Sequence, residues 1–347
     1  MRRVTLGLGA PLLVLALAAP AWGCGGLVNP NGTVSLVRTT TLAGYRDGVE
    51  HYVTSFEFAG GGAEFGSIVP LPGIPSKVER AGDWTLQRLV REVQPPVRFA
   101  LLESANGVAR TSAKVLLETR IDALDITILE GGGDAVGRWA RKHGFALTPD
   151  APEVLDFYAE RSPIFMAARF DPKAAAAQGQ GIGDGTPIHL TIPTPNPWVP
   201  LRILGLGLGK AAPVEADVFL LTESAPEILP RPTSSRSRRG VVLERSEAAT
   251  ADLLRDLRFD KGMKWIPRHG MWLSYLKIRT SVGRLDHDLA VDASGRGEPS
   301  PVAAGIAVAP VHESIPSRSP AWWPGALGAL LVAGAVGIAC TRSSVPR

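Results

Sequence analysis

A run of 20 uncharged residues, Ala321 to Cys340, constrains this 347-residue chain more than any other stretch. At 1.5 Å rise per residue a helix of that length covers about 30 Å, the thickness of the hydrocarbon core of a bilayer. The run is therefore read as one membrane-crossing helix rather than a buried core helix. Trp322 and Trp323 stand at its upstream edge, where indole rings favour the headgroup region, and Arg342 and Arg347 follow it as in a short cytoplasmic tail. The rest of the chain is then expected outside the membrane. The alternative reading of the same run is a sorting signal removed after export.

The other end agrees. Arg2-Arg3, the apolar stretch Val4 to Ala19 and the small residues around Ala19-Pro20-Ala21 have the order of an export signal. A cut after Gly23 would expose Cys24, and Ala21-Trp22-Gly23-Cys24 is a degenerate lipoprotein box, so lipidation of Cys24 stays open. The second cysteine, Cys340, lies at the far end of the span, which leaves Cys24 without an intramolecular partner outside. The exported part must be held by its own core, and residues 25 to 319 are enough for one large domain or two small ones.

Charge argues against one class of function. The formal net charge is +4, but Arg2, Arg3, Arg342 and Arg347 all lie outside the exported domain, which leaves it 33 basic against 33 acidic residues. A surface for nucleic acid or anionic lipid needs a basic face, which in a neutral domain only local clustering of charge could supply.

Between the ends the pattern predicts an α+β fold of mostly antiparallel sheet with three or four short packed helices, plus the C-terminal transmembrane helix. Strands are expected from Thr33 to Leu42 and His51 to Phe58, joined by a turn at Tyr45-Arg46-Asp47-Gly48, since Asp-Gly between β-rich runs is a hairpin signal. A strand from Glu64 runs into Pro70, Pro72 and Pro75. A helix capped by Asp83 carries Leu86, Leu89, Val90 and Val93 to the core and stops at Pro95-Pro96. Further strands are expected at 97–103, 114–129, 164–170, 187–192, 214–221, 272–280 and 288–291, with an edge strand at 304–311. Helices are expected at 135–143, from 150 or 152, and near 247–257. Ala174 to Gly185 reads as a mobile low-complexity loop, and Pro226 to Arg239, with Arg236, Arg238 and Arg239, as an exposed linker. Strand, Gly-rich insert, strand and proline-rich exit occur twice, at 52–75 and 164–200, a faint sign of duplication.

The resulting division is a signal peptide at 1–23, an extracytoplasmic domain at 24–293, a Pro/Ser/Gly-rich tether at 294–320, the span at 321–340 and a cytoplasmic tail at 341–347. Within the span Gly325, Ala329, Ala333 and Gly337 recur every fourth residue, a small-residue stripe that allows a homodimer through packed helices.

Motifs for chemistry are scarce. Gly205-Leu206-Gly207-Leu208-Gly209-Lys210 suggests a phosphate loop, but Leu204 and Ala211 stand where that pattern needs Gly and Ser or Thr, so it is read as a flexible loop. Asp286-His287-Asp288 offers metal-ligand types, yet neighbours on a strand face opposite ways, so only Asp286 and Asp288 can share a face. A metal there needs help from His51, His189 or His269, and a solvated turn is the plainer reading. No Gly-x-Ser-x-Gly or His-Glu-x-x-His occurs. No catalytic, cofactor-binding or metal residue is assigned.

Phe65-Gly66-Ser67-Ile68-Val69-Pro70-Leu71-Pro72, the segment Asp134 to Phe145 with Trp139 and Gly144, Phe165 to Phe170, Pro187 to Leu201 and Trp272 to Val291 together resemble a family of exported bacterial proteins, domain of unknown function 2330. The likeness covers roughly residues 24 to 293. It departs in keeping only Cys24 where members often carry several cysteines, in having His143 where the family tends to Asn, and in a longer linker around Arg236. The resemblance implies an exported domain, often with a C-terminal anchor, and no assigned activity. The expected function is a binding or structural module of the cell envelope, anchored by one span in the bacterial membrane, with an unknown envelope protein or polymer as partner and no cofactor. The competing class is an envelope hydrolase whose site gathers dispersed residues such as His51, His189, His269 and Asp286.

Overall fold

The structure is a computed structural model that describes residues 26–28, 35–59, 65–93, 113–179, 185–233 and 240–307. In chain order the elements are β1 (Gly26–Val28), β2 (Ser35–Arg46), β3 (Val49–Ala59), β4 (Phe65–Leu71), β5 (Lys77–Arg80), α1 (Thr85–Val93), β6 (Lys114–Ile121), β7 (Leu124–Glu130), α2 (Gly133–Lys142) and α3 (Ala151–Ala159). There follow β8 (Ile164–Phe170), α4 (Pro172–Ala177), β9 (Ile188–Pro193), β10 (Trp198–Val199), β11 (Pro213–Thr222), β12 (Glu227–Leu229), β13 (Val241–Ala248), α5 (Ala251–Phe259), β14 (Trp272–Ser281) and β15 (Leu289–Asp292).

The strands form a seven-stranded sheet in the order β13-β14-β11-β2-β3-β9-β5, a five-stranded sheet β1-β4-β8-β7-β6 and a small sheet β10-β15-β12. Every pairing is antiparallel except that of β11 with β2. The α+β, mostly antiparallel architecture expected from the sequence is present. The two large sheets face each other over one core that includes Tyr52, Leu190, Val218 and Ile278 from one and Val69, Ile126, Ile128 and Met166 from the other. The outer face of the large sheet is covered by α1 and α5 through Leu86, Leu89, Leu253 and Leu257. The outer face of the five-stranded sheet is covered by α2 and α3 through Val136, Trp139, Leu155 and Tyr158. Both faces of each sheet are covered over much of their area, which explains why β8 reads as a nearly continuous apolar run, while β7 alternates, Ile126 and Ile128 facing the shared core and Asp125 and Thr127 the other side. The two strand-insert-strand segments noted in the sequence meet: β3 pairs with β9 and β4 with β8.

Local sequence explains several elements. Asp47 and Gly48 both have positive φ, 53° and 77°, the geometry of a two-residue hairpin turn whose twist suits the flanking strands. Gly44 on β2 serves a close approach, since a Cβ there would lie 2.2 Å from the Trp265 ring.

The start of α1 is capped from afar. Asp83, expected to cap it, turns instead to Arg80, and the free N–H groups of Trp84 and Thr85 donate to Asp260 Oδ2 at 3.3 and 2.7 Å, joined by the Thr85 hydroxyl at 2.6 Å. Asp260 is buried beyond the end of α5, so one carboxylate fastens both helices of that layer. Asp260→Ala is expected to destabilise the protein by about 1–2 kcal/mol, the usual cost of a lost cap, and to raise amide exchange in the first turn of α1. Asp83→Ala should change neither by a measurable amount. Thermal unfolding with hydrogen exchange checks both.

Other expectations are corrected. The described residues contain five α-helices rather than three or four, the extra one being α4 inside the supposed mobile loop; the Asp171 carboxylate accepts from Lys173 N and Ala174 N, and the alanines that follow are the best helix formers. The single strand expected over 114–129 is a hairpin, broken where Asp122 takes a positive φ of 51°. Strand β13 was not expected: it is an edge strand whose Glu244, Arg245 and Glu247 blunt its free side, so it lacks an apolar signature. The Gly205–Lys210 loop is a packed turn, with Leu206 buried and Gly207 N donating to Asp150 at 2.9 Å. Residues 301–307, placed in the tether and partly in an edge strand, form turns, with Ala303 and Ala304 buried against the domain. The signal peptide, the strand at 97–103, the Arg236 cluster and the span lie outside the described residues. Among the described residues no helix is long and apolar enough to cross a membrane.

Candidate functional site

Of the residues considered for a dispersed site, His51 and His189 come together and His269 and Asp286 do not join them. His51 and His189, diagonal neighbours on β3 and β9, are hydrogen-bonded, Nδ1 to Nε2 at 3.0 Å. Trp265 stacks on His51 with centroids 4.0 Å apart and planes 1° apart. Glu79 Oε1 stands 3.4 Å from His189 Nδ1, at ion-pair distance without hydrogen-bond geometry. Burial lowers both histidines, His51 to about 3 with repulsion from His189 helping, and His189 to about 4. Neutral and roofed by an indole, the pair is placed to pin the Trp265 loop onto the sheet. His269 is exposed and Asp286 is exposed, each elsewhere.

Nor is Asp286-His287-Asp288 a solvated turn. His287 and Asp288 are fully buried, and Asp288 is engaged by Arg161 at 2.7 Å and the Tyr158 hydroxyl at 2.8 Å. Among the described residues no group of three or more His, Cys, Asp or Glu side chains is placed to hold a metal ion.

A concave feature lies on the outer face of the five-stranded sheet. α2 follows β7 after a tight Gly131-Gly132 turn and buries Val136, Trp139 and Ala140 on the sheet. It ends at Lys142, with Gly144 at φ 83° and Phe145 N closing back on Ala140 O at 2.9 Å. Beyond that end the polar parts of β6, β7 and β8 continue without a helix over them, leaving a cavity of about 500 Å³. This falls in the range of about 300–1,000 Å³ typical of small-molecule sites.

One wall of the cavity is aromatic, made by Trp139, His143 and Phe145. His143 lies against Trp139 with centroids 3.7 Å apart, and its Nδ1 is 3.0 Å from Trp139 O. A carbonyl only accepts, so Nδ1 carries the proton and Nε2 is the free acceptor. Burial, with Arg169 contributing, holds His143 below its ordinary pKa.

The opposite wall is a charge ladder set by strand register. Arg120 faces Asp125, and Asp125 faces Arg169 across adjacent strands. Asp125 takes Arg169 Nη2 at 2.9 Å and Arg120 Nη1 at 3.1 Å, while Arg120 also reaches Asp171. Thr127 and Ala167 form the floor, and Glu118 stands exposed at the rim. Aromatic surface facing fixed charge suits a small amphipathic ligand.

No candidate site residue was assigned from the sequence. Trp139, His143 and Phe145 were singled out only through the family resemblance, while Asp125, Arg120, Arg169 and Glu118 carried no signal, because three strands must pair before they meet.

The sequence profile of domain of unknown function 2330, described as an uncharacterized protein conserved in bacteria, matches residues 18–257. The chain belongs to this family. All of the cavity lining falls within the part that matches the DUF2330 profile. Comparison with curated proteins gives no match. Among solved structures the chain is similar to baculovirus P35, with a TM-score of 0.42 and 10% identity, over 77% of this chain and 99% of that one.

Proposed function

We propose that this DUF2330 protein is a membrane-anchored, extracytoplasmic binding module of the bacterial cell envelope, and that the cavity beside the end of α2 is its ligand site. The cavity carries the reading: it is a walled, mixed aromatic and charged recess on a rigid sheet, with its polar groups held by cross-strand pairing rather than by mobile loops. The export signal at 1–23 and the apolar run at 321–340 support the location, and the neutral charge balance supports a specific ligand over a polyanion.

Protease treatment of spheroplasts is expected to digest the domain and leave a small membrane-embedded C-terminal fragment; protection of the domain would end the topological part. For the site, a photo-crosslinking amino acid at Glu118 on the cavity rim is expected to capture an adduct in intact cells that the same group at exposed Arg268, in the loop beyond α5, does not. Identical capture from both positions, or none from Glu118, would remove the cavity from the account.

A further inference from the structure

Two donors in the cavity wall, one on Trp139 and one on Arg169, have no acceptor among the described residues. Trp139 is 3% exposed and its Nε1–H finds no acceptor among the described residues. Arg169 spends Nη2 on Asp125, and its Nη1 is buried with no acceptor. Buried donors are nearly always paired, because the water they give up is otherwise not replaced. Here two such exceptions belong to side chains that line one cavity.

Both groups can only donate, so whatever completes them brings acceptors. The charge ladder narrows the choice further. Arg120 pairs with both Asp125 and Asp171, whereas Arg169 makes its ion pair with Asp125, which it shares, and feels Asp171 only at longer range. Arg169 is the less neutralised cation, and a planar guanidinium is the side chain best matched to a carboxylate. Glu118, exposed at the rim, and Asp125 within the ladder oppose an anion, the second already spent on the two arginines. The rings of Trp139 and Phe145 supply apolar surface beside these donors.

We infer that the cavity takes a small carboxylate with an apolar or aromatic body, its carboxylate accepting from Arg169 Nη1 and Trp139 Nε1 and its body lying on the Trp139 and Phe145 wall. This deepens the binding-module reading and rests on it. Both nitrogens are closed to bulk water, so entry of the ligand requires a side chain of the wall to move, a movement assigned to the half-buried His143 ring, which is held by one hydrogen bond to Trp139 O and by packing on the Trp139 ring. Carboxylates of this kind are also what hydrolysis of an amide or ester leaves behind, so the ligand class is that of a product or fragment of such a reaction.

The test is calorimetric titration of the full chain in detergent with phenylacetate and with its neutral isostere phenylacetamide. Phenylacetate is expected to bind about tenfold or more tighter than the amide, the difference made by one charge-assisted contact. Arg169→Gln and Trp139→Phe are each expected to weaken phenylacetate by about tenfold. Trp139→Phe also removes part of a buried ring, so its thermal midpoint is expected to fall modestly; titration well below that midpoint separates lost binding from lost fold. Equal or tighter binding of the amide, or unchanged affinity in Trp139→Phe, would overturn the carboxylate assignment while keeping the cavity as a binding site. Absence of saturable binding by either probe also overturns it. The parent reading stands or falls separately, on the Glu118 crosslinks.

Discussion

Asp288→Ala is expected to destabilise the protein by about 3–5 kcal/mol, the range for stranding one partner of a buried ion pair. Asp288 is fully buried. Its Oδ1 accepts from the Tyr158 hydroxyl at 2.8 Å, Leu201 N at 2.6 Å and Arg202 N at 3.0 Å, and its Oδ2 accepts from Arg161 Nη2 at 2.7 Å. Arg161 is itself 5% exposed, donates to Ala303 O at 2.7 Å and lies over the Phe157 ring at 4.0 Å. Alanine would leave a buried guanidinium, a phenol and two backbone N–H groups without their acceptor. Tyr158 is held as a neutral phenol by burial and by Asp288 itself, so it cannot take over as a counter-charge. Asp288→Asn keeps one acceptor but sets an amide against Arg161, and should fall between. Equilibrium denaturation reads this directly, and a loss below about 1 kcal/mol would show that the network carries little net energy.

Stability is expected to peak near pH 6.5 and to fall on both sides, for two separate buried reasons. Glu50 is fully buried on the inner face of β3; among the described residues neither oxygen has a partner of normal hydrogen-bond geometry, and burial lifts its pKa from 4.5 to about 8, only partly opposed by the nearby Trp198 backbone. A raised folded pKa means that the unfolded chain ionises first. Stability from this group is complete below pH 4.5 and is lost as pH rises toward 8, by about 1.4 kcal/mol per pH unit.

The histidine pair acts in the other direction. His51 and His189 stay neutral when folded, down to about 3 and about 4, while unfolded histidine takes a proton near 6.5. Their stability is present above pH 6.5 and is lost as pH falls below it. Between pH 4.5 and 6.5 the unfolded chain gains two protons on the histidines and lacks the one that folded Glu50 holds. The net slope there is one proton, again about 1.4 kcal/mol per pH unit, with stability rising toward pH 6.5. Glu50→Gln should flatten the alkaline limb and steepen the acid one; His189→Gln should weaken the acid limb and leave the alkaline one alone. A denaturation midpoint measured from pH 4.5 to 8.5 decides it, and a flat profile in the wild type would contradict both assignments.

How far each site was visible beforehand follows from the range of the interactions that build it. The turn at Asp47-Gly48 was legible because left-handed backbone there depends on two adjacent residues. Strand β8 and the end of α2 at Gly144 were legible for the same reason, as was the apolar periodicity of α1 and α5. The family membership was legible because several such local segments occur in order. The boundaries that failed did so where a distant group intervened or a single residue broke a run: Asp260 replaces Asp83 as the cap of α1, and Asp122 folds one expected strand into two.

By itself the sequence determined the class of elements, their order, the neutral charge of the domain and the scarcity of catalytic motifs, since these depend on composition and on contacts within a turn or two. Tertiary structure alone decided which side chains meet. Asp125 and Arg169 are 44 residues apart and touch only because β7 pairs with β8 in one register. Asp288 was indistinguishable from a solvated aspartate until Arg161, 127 residues earlier, was packed against it. A shift of one residue in either pairing would turn these side chains to the opposite face, so no local pattern encodes the cavity wall, and the charges that line it became a site only when the sheet closed.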